Sequence, residues 1–483
     1  MAETQPPYLK LPNELWDVIF SYGFVQKDFL ALSTLSKAFN KVVEPSLYSS
    51  FTWIPHPCVA LPVLSSLNNR DIRPLTRSKR RNGTELPLGF FSHQKPYLFL
   101  KALLESPRRA GYVEKVRVLA PLSDSGLFWD SYQARECGFS NANLETCKKT
   151  IDLLPFELHS YWLDGLYRGK LDVILGLLLL QLTGLTSVDI RLRDASTIGN
   201  PVFDALSSTF NGRPNHYRYP NIRSVNLSID RKGGAPVRNY YAVHEDDICH
   251  AFYPVPSIFE FKKLETLSLT CCSPGNFWRN KLSTASNLKK VTLRNGVINE
   301  HILKTFLAAT PHLEELDCEL VYDDDAQQRL DCDVLKSALS LVQNTLSRLV
   351  LDISVVYGQD WNPIPWDVQN FMGSMKDFQQ LRYLDIPITL YATEIVAASQ
   401  AASSMPFKDR KIDPWGERMP DGLEWFGIRL GGLGTVIYGI QSEVERCVEV
   451  YLRMNPGVKR IVQDLGAGDD EDEVDLEELF SRS

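Results

Sequence analysis

The sequence lacks the features of a membrane-spanning or secreted protein. Its longest apolar run, residues 173–185, is interrupted by Gly176, Gln181 and Gly184. The run is therefore shorter than the roughly 20 residues that a membrane-spanning helix needs, and we expect a buried helix that leads into a strand. The nine cysteines are an odd number without framework spacing, and no secretory signal pattern precedes them. We expect no membrane partner and a reducing compartment, the cytoplasm and/or the nucleus.

The sequence also lacks the common motifs of catalysis and metal binding. It contains no Gly-x-Ser-x-Gly and no His-Glu-x-x-His motif. No Cys-x-x-Cys pair of the kind that zinc sites use is present either, although five potential ligands lie fairly close along the chain. These are His244, Cys249, His250, Cys271 and Cys272. We therefore predict that the protein is not an enzyme, with no catalytic residues, no cofactor and no metal site.

The chain has no excess of positive charge, with 52 Lys and Arg against 59 Asp and Glu. The formal net charge is −7, and residues 469–478 carry eight acidic side chains and no basic one, so the chain without them would carry +1. A nearly neutral body lacks the basic face of a nucleic-acid-binding protein, and we predict no nucleic-acid partner. Residues 466–483 form an acidic tail that we expect to be disordered. Its apolar residues leave open a second possibility, that it binds a basic surface.

Residues 11–53 contain three short segments with apolar side chains on more than one helical face. In the first, Leu15, Ile19 and Tyr22 share one face, and Trp16 with Phe20 forms another. The second has the same property. Small helices cannot bury two apolar faces in one another, so part of this surface is expected to contact a partner.

These residues resemble the F-box family, in the order that the family shows. The matching elements are Leu11-Pro12, Glu14, Leu15-Trp16, Ile19-Phe20-Ser21-Tyr22, Asp28-Phe29-Leu30, Leu35-Ser36-Lys37-Ala38-Phe39 and Pro45-Ser46-Leu47-Tyr48. Gly23, Phe39 and Tyr48 depart from the pattern, which has Leu, Trp and Trp there. The resemblance implies an all-α F-box at residues 9–53 that binds a Skp-type adaptor and, through it, a cullin. The residues expected to contact the adaptor are Leu11, Pro12, Leu15, Ile19, Leu30 and Leu32, while Phe20 and Leu35 are expected inside.

From about residue 112 a six-residue motif recurs, with apolar residues at its first, fourth and sixth positions. Its nine copies start at Val113, Leu185, Ile222, Leu264, Leu288, Leu313, Leu346, Leu381 and Leu423. Helix-like apolar stripes lie between several copies, one at residues 302–307, one from 334 to 342 with Asp333 as its N-cap, and one at 368–375. This pattern resembles an irregular leucine-rich repeat array.

The expected fold class is therefore α/β, a short all-α F-box followed by an irregular leucine-rich repeat solenoid. Its parallel strands would line the concave face and its helices the convex face. We expect the array at residues 111–465, after a linker or insertion at 54–110 and before the acidic tail at 466–483.

The combination of the two families implies a substrate-recognition subunit of a Skp–cullin–F-box ubiquitin ligase, in which the repeats bind a target protein. The alternative is a scaffold that acts in protein–protein interaction outside a ligase. For target binding we predict strand residues that alternate with buried ones. Acidic and aromatic residues stand out among them and would receive a basic or aromatic segment: Glu315, Asp317, Glu319, Tyr383 and Trp425. A solvated face without a partner is the alternative.

Overall fold

A computed structural model of the chain describes eleven stretches, apart from short internal gaps of one to three residues. These are residues 26–53, 88–119, 139–193, 201–230, 258–270, 284–323, 330–356, 368–387, 390, 419–429 and 451–460. They form a mixed α/β structure built around one open, parallel sheet. The predicted first helix of the F-box-like segment, with Leu11, Pro12, Leu15 and Ile19, lies outside the described residues.

The sheet has eleven strands, all parallel, and their spatial order is their order along the chain. They are β1 (Ser50–Trp53), β2 (Lys115–Leu119), β3 (Ser187–Arg193), β4 (Ser224–Asp230), β5 (Thr266–Thr270), β6 (Lys290–Arg294), β7 (Glu315–Asp323), β8 (Arg348–Val356), β9 (Tyr383–Pro387), β10 (Trp425–Arg429) and β11 (Lys459–Arg460). Two minor two-residue pairings stand apart from it, Thr209–Phe210 with Arg213–Pro214 and Leu330–Asp331 with Val368–Gln369.

The apolar fourth positions of the nine motif copies form one continuous row across the sheet. Its members are Val116, Val188, Val225, Leu267, Val291, Leu316, Leu349, Leu384 and Phe426, each paired with the next. Each of them is buried, with no more than 2% of its surface exposed. The nine predicted strands are thus confirmed, and they share one register. Strands β1 and β11 extend the sheet by one strand at each end.

Helices precede and connect the strands of this sheet. They are α1 (Gln26–Leu35), α2 (Lys37–Tyr48), α3 (Leu88–Glu105), α4 (Pro107–Ala110), α5 (Asn141–Ile151), α6 (Phe156–Arg168), α7 (Leu171–Gln181), α8 (Pro201–Ser207), α9 (Glu300–Ala309) and α10 (Cys332–Ser340). Helices α3 to α10 contribute to one hydrophobic core with the strands, whereas α1 and α2 pack around a small separate cluster at Phe29 and Val43. Helix α7 is buried from Val173 to Leu180 and leads into β3, as predicted.

Two helix predictions need correction. The N-cap of α10 is Asp331, whose carboxylate accepts hydrogen bonds from the backbone N–H groups of Asp333 and Val334; Asp333 is therefore inside the helix. The apolar stripe at residues 368–375 is not a helix where it is described. Val368 and Gln369 pair with the strand segment before α10 instead, because that pairing satisfies their backbone groups.

The sheet also begins earlier than the motif suggested. Strand β1 lies inside the segment 9–53 and pairs with β2. Within the segment 54–110, residues from Leu88 onward are helical, and Tyr97, Leu100 and Leu103 are buried in the main core. The described part of that segment is therefore a structural layer of the sheet domain.

A carboxylate pair, of which Asp204 is buried and Asp172 is partly exposed, lies where α6, α7 and α8 meet. The Trp162 indole N–H donates to Asp204 Oδ2 at 3.2 Å, and the Tyr161 hydroxyl donates to Asp172 Oδ2 at 2.9 Å. Burial raises the pKa of Asp204 to about 6, against the opposing effect of the Trp162 hydrogen bond and with a further contribution from the Asp172 charge. Burial likewise raises the pKa of Asp172. The fold therefore holds at least one carboxylate that is destabilised when ionised.

This carboxylate gives a pH-dependent prediction. Between about pH 4 and pH 6 the folded state retains a proton on Asp204 that the unfolded state has lost, so the free energy of unfolding falls as pH rises through this window. Asp204→Asn keeps an acceptor for Trp162 and removes the charge. We expect it to raise the free energy of unfolding at pH 7 by up to about 3 kcal/mol and to flatten the pH profile, measured by urea denaturation.

The control is Asp164→Asn, which changes an exposed carboxylate on the same helix as Trp162 and should leave the profile unchanged. A wild-type pH profile in the Asp204→Asn protein would contradict the assignment of this titration to Asp204.

Candidate functional site

The face of the sheet opposite the helices is the candidate binding surface. We call it the open face; it consists of the strand residues that alternate with the core positions, such as Thr266, Ser268 and Thr270 of β5, all partly exposed. Its first row runs along the amino-terminal ends of the strands. In register from β6 onward it comprises Lys290, Glu315, Arg348, Tyr383, Trp425 and Lys459.

The predicted acidic residues of β7 lie on this face, but two of them are balanced by basic neighbours. Lys290 Nζ lies 2.5 Å from Glu315 Oε1. Arg294 binds Asp317 with two parallel hydrogen bonds of 3.0 and 2.9 Å. Each such pair is partly exposed and contributes roughly 0–1 kcal/mol to stability. The larger effect of these pairs is on the charge of the open face, because the basic residues of β6 balance Glu315 and Asp317 of β7.

The predicted aromatic residues are brought together. Tyr383 and Trp425 are direct register partners on β9 and β10, although 42 residues separate them along the chain. The Arg348 guanidinium lies 3.6 Å from the centroid of the Tyr383 ring, and Lys459 Nζ lies 4.8 Å from that of the Trp425 ring. Both are cation–π geometries. We call these four residues the aromatic–cation row: two rings side by side with a cation on each outer flank.

The solvent exposure of the open-face residues shows which of them a partner can contact. Trp425 is 39% exposed, which is unusual for so large an apolar side chain, and Tyr383 is partly exposed. Val350 and Asp385, which occupy the next row of the same face, are 1% and 2% exposed. Among the described residues of β8 to β11, the open face is therefore accessible at the aromatic–cation row and, farther along β8, at the partly exposed Asp352.

The opposite end of the open face has a different chemistry. Asp189 of β3 lies 3.2 Å from the Arg117 guanidinium of β2 and accepts a 2.7 Å hydrogen bond from the Asn226 amide of β4. One carboxylate thus joins three neighbouring strands. Arg191 lies 3.8 Å from the same carboxylate, and the small polar residues Ser187 and Ser224 occupy the first row beside it. This end carries no aromatic residue in the first row of β2 to β6.

Helix α1 carries a second candidate surface. Leu30, predicted to contact an adaptor, is 57% exposed, whereas Leu32 is partly buried against the cluster of Phe29 and Val43. Leu35 was expected inside but is 68% exposed. The exposed apolar residues of α1 are therefore Leu30 and Leu35.

A charged junction connects this surface to the sheet. The Glu44 carboxylate on α2, 7% exposed, accepts hydrogen bonds from Arg108 and from Arg109, the latter at 2.9 Å. The Arg109 guanidinium also lies 5.0 Å from the centroid of the Tyr48 ring, which stacks on Phe99 of α3. Helix α2 then continues into β1 across a single residue, Ser49. The helices before the sheet are thus tied to it by covalent, ionic and aromatic contacts.

Ionisation of Glu44 matters for this junction. Burial acts to raise the pKa of Glu44, but the hydrogen bonds and charges of Arg109 and Arg108 outweigh it and hold the pKa below its ordinary value. A lowered pKa means that the junction stabilises the fold above the pKa of the unfolded chain and that this stabilisation is lost as pH falls.

The described residues offer little for catalysis or metal binding. Within them, no group of three or more His, Cys, Asp or Glu side chains is arranged to hold a metal ion. Burial raises the pKa of the Cys147 and Cys332 thiols to about 12, and that of Cys318 as well, so these thiols are poor nucleophiles at neutral pH. The five potential zinc ligands named above lie outside the described residues.

The sequence analysis did not identify the two edge strands, β1 and β11, for different reasons. Tyr48, Phe51 and Trp53 fit the first, fourth and sixth motif positions, but their aromatic character and their place in the F-box-like segment hid the match. Lys459 gave no signal, because Gly457 and Arg460 occupy the first and fourth positions of its strand. An edge strand needs fewer apolar residues, since it has only one neighbour to pack beside.

The junction yields a stability prediction. Glu44→Gln leaves two arginines without their buried counter-ion, which we expect to lower the free energy of unfolding at pH 7 by about 1–3 kcal/mol, measured by urea denaturation. The difference from wild type should shrink as the pH falls below the ordinary carboxyl range and through the lowered pKa of Glu44, where the wild-type carboxylate becomes protonated. Glu114→Gln, an exposed position beside β2, serves as the control and should change little. An equal loss at pH 7 and at pH 3 would argue against an ionic junction.

Comparison with known proteins gives these surfaces no identity. No protein-family model matches the chain, and a search of curated proteins finds no significant match. None of the helices in the described stretches is long and apolar enough to cross a membrane. A function must therefore be argued from the exposed leucines of α1 and from the open face.

Proposed function

We propose that the chain is a substrate-recognition subunit of a Skp–cullin–F-box ubiquitin ligase. In this proposal residues 9–53 bind the Skp-type adaptor, and the open face of the sheet binds the target protein. The observation that carries it is the coexistence of two separate accessible surfaces, exposed leucines on α1 and an exposed aromatic–cation row, on one connected body. Such a body suits a protein that holds two partners at once.

We also propose that the sheet is the strand layer of a leucine-rich repeat solenoid. Its support is the identity of spatial order and chain order over all eleven strands. Each parallel strand is followed along the chain by its neighbour on the same side. The connections between such strands have the same handedness, and this places the connecting helices on one side of the sheet. The repeated register of the motif is the second support, since each repeat then buries its apolar face against its neighbours.

The proposed mechanism is proximity. Among its described residues the chain presents no reactive thiol for ubiquitin transfer, so its contribution would be to hold a target near a charged conjugating enzyme. Holding both partners on one body raises their effective concentration, provided that the geometry allows simultaneous binding. The Glu44 junction is relevant here, because it limits the freedom of α2 relative to the sheet and so keeps the two surfaces in a fixed relation.

The first test concerns the adaptor surface. We expect Leu11→Ala combined with Pro12→Ala to abolish adaptor pull-down while the circular dichroism spectrum stays unchanged. Leu30→Ala should weaken binding by roughly tenfold, because a large apolar side chain contributes about 1.5–3 kcal/mol when buried. Leu341→Ala is the matched control, since Leu341 is also exposed, at 44%, but lies beyond α10 in the sheet domain.

Adaptor binding that survives all three changes would rule out an F-box role for this segment. The composition of the pulled-down material distinguishes a ligase subunit from a scaffold protein. A ligase subunit co-purifies with both the adaptor and the cullin, whereas co-purification of the adaptor without the cullin would favour the scaffold.

The second test concerns the target surface. Affinity purification with proteasome inhibition supplies the candidate target. We then expect Trp425→Ala to weaken its capture by roughly 30-fold, the effect of an interface residue worth about 2 kcal/mol, with adaptor binding unchanged.

The paired ions of β6 and β7 allow a sharper version of this test. Glu315→Lys should also reduce target capture, but it places two cations side by side. Adding Lys290→Glu restores an ion pair of reversed polarity. Capture that stays low in the double variant supports recognition of Glu315 by the target, and full recovery would show that Glu315 only maintains the surface.

A further inference from the structure

The cations of the aromatic–cation row give this end of the open face a positive character. Arg348 and Lys459 flank the two rings. Arg460, which follows Lys459, is in register with the core residue Phe426 and therefore lies on the other face. The nearby Glu424 lies 3.8 Å from Arg382, so that carboxylate already has a cationic neighbour. An anionic segment therefore fits this end better than the basic one predicted from sequence.

We propose that residues 469–480 of the same chain bind across the aromatic–cation row. This segment carries eight acidic side chains and no basic one, which complements the cations on both flanks. It also carries four apolar residues, Val474, Leu476, Leu479 and Phe480, interspersed with or directly following the acidic ones. A segment of this composition matches both chemistries of the row, since carboxylates bind Arg348 and Lys459 while apolar side chains cover the exposed Trp425 ring.

The length of chain between the two elements permits this contact. Eight residues separate Arg460, the last residue of β11, from Asp469. Nine steps of an extended chain span up to about 30 Å. Strands β8, β9, β10 and β11 are consecutive neighbours, so the row is only about 14 Å wide at the usual strand spacing. The acidic segment can therefore reach every member of the row from the edge strand beside it.

The binding of this segment does not depend on the proposed ligase role. If the open face also receives a target at Trp425, the segment competes with that target for the ring. The segment would then act as an internal competitor whose removal exposes the row.

The test uses the full chain and a labelled peptide of residues 466–483. A tail-neutral variant replaces the eight acidic residues between 469 and 478 by Asn or Gln. Because its own segment no longer occupies the row, we expect this variant to bind the peptide at least tenfold more tightly than the wild-type chain does. Binding should weaken steeply between 50 mM and 500 mM salt.

Charge reversal then locates the contact. In the tail-neutral background, Arg348→Glu with Lys459→Glu should weaken peptide binding at least tenfold. The matched control, Lys115→Glu with Lys262→Glu, makes the same change in net charge at two exposed positions outside the row and should leave the affinity nearly unchanged. Equal losses in both pairs would mean attraction by net charge alone and would overturn the proposal, as would equal peptide binding by the wild-type and tail-neutral chains.

Carbodiimide cross-linking provides an independent test. It uses the wild-type chain and therefore does not depend on whether a variant folds. It should join Lys459 to a carboxylate of residues 469–478, and mixing isotopically light and heavy chains shows whether the link is within one molecule. Light–heavy links in the proportion expected for random pairing of chains would overturn binding within the chain, and the absence of any link to Lys459 would place the segment elsewhere.

Discussion

The shared register of the parallel strands is the constraint on which the rest of the structure depends. Side chains alternate between the two faces of a strand, so alignment of Val116 with its eight successors decides which residues enter the core and which form the open face. A slip of one residue in any strand would move its apolar side chains to the open face. Each such side chain contributes about 1.5–3 kcal/mol when buried, and each of the nine motif strands carries at least two, which makes their register strongly preferred.

The same register organises the charges of the open face. Residues that are 25 to 42 positions apart in sequence become direct neighbours, so Lys290 meets Glu315 and Arg348 meets the Tyr383 ring. Because neighbouring strands carry opposite charges, the charge of a single strand misrepresents the surface. Pairing on β6 and β7 leaves the rings and cations from β8 to β11 as the chemically distinct part of the face, and this is why an acidic rather than a basic ligand suits it.

Contacts outside the sheet set the relation of its parts. The Glu44 carboxylate binds two arginines from α4 and lies one helical turn before Tyr48, so helix α2 and the first strand behave as one element. The Asp204 carboxylate, by contrast, is buried beside Asp172 with a pKa raised to about 6. One buried acid thus stabilises the folded state at neutral pH and the other destabilises it, and the difference lies in whether cations or another carboxylate are nearby.

The sequence by itself determined the nine motif strands, their common register and the buried helix α7, because local apolar periodicity carries that information. It also placed Glu315, Asp317, Tyr383 and Trp425 on one face. Only the tertiary structure decided that β1 and β11 complete the sheet, that residues 88–110 belong to its core, and that basic side chains neutralise Glu315 and Asp317. These outcomes depend on contacts between residues far apart in the chain. A short motif does not encode which strand becomes its neighbour, and the charge of a surface is set by neighbours.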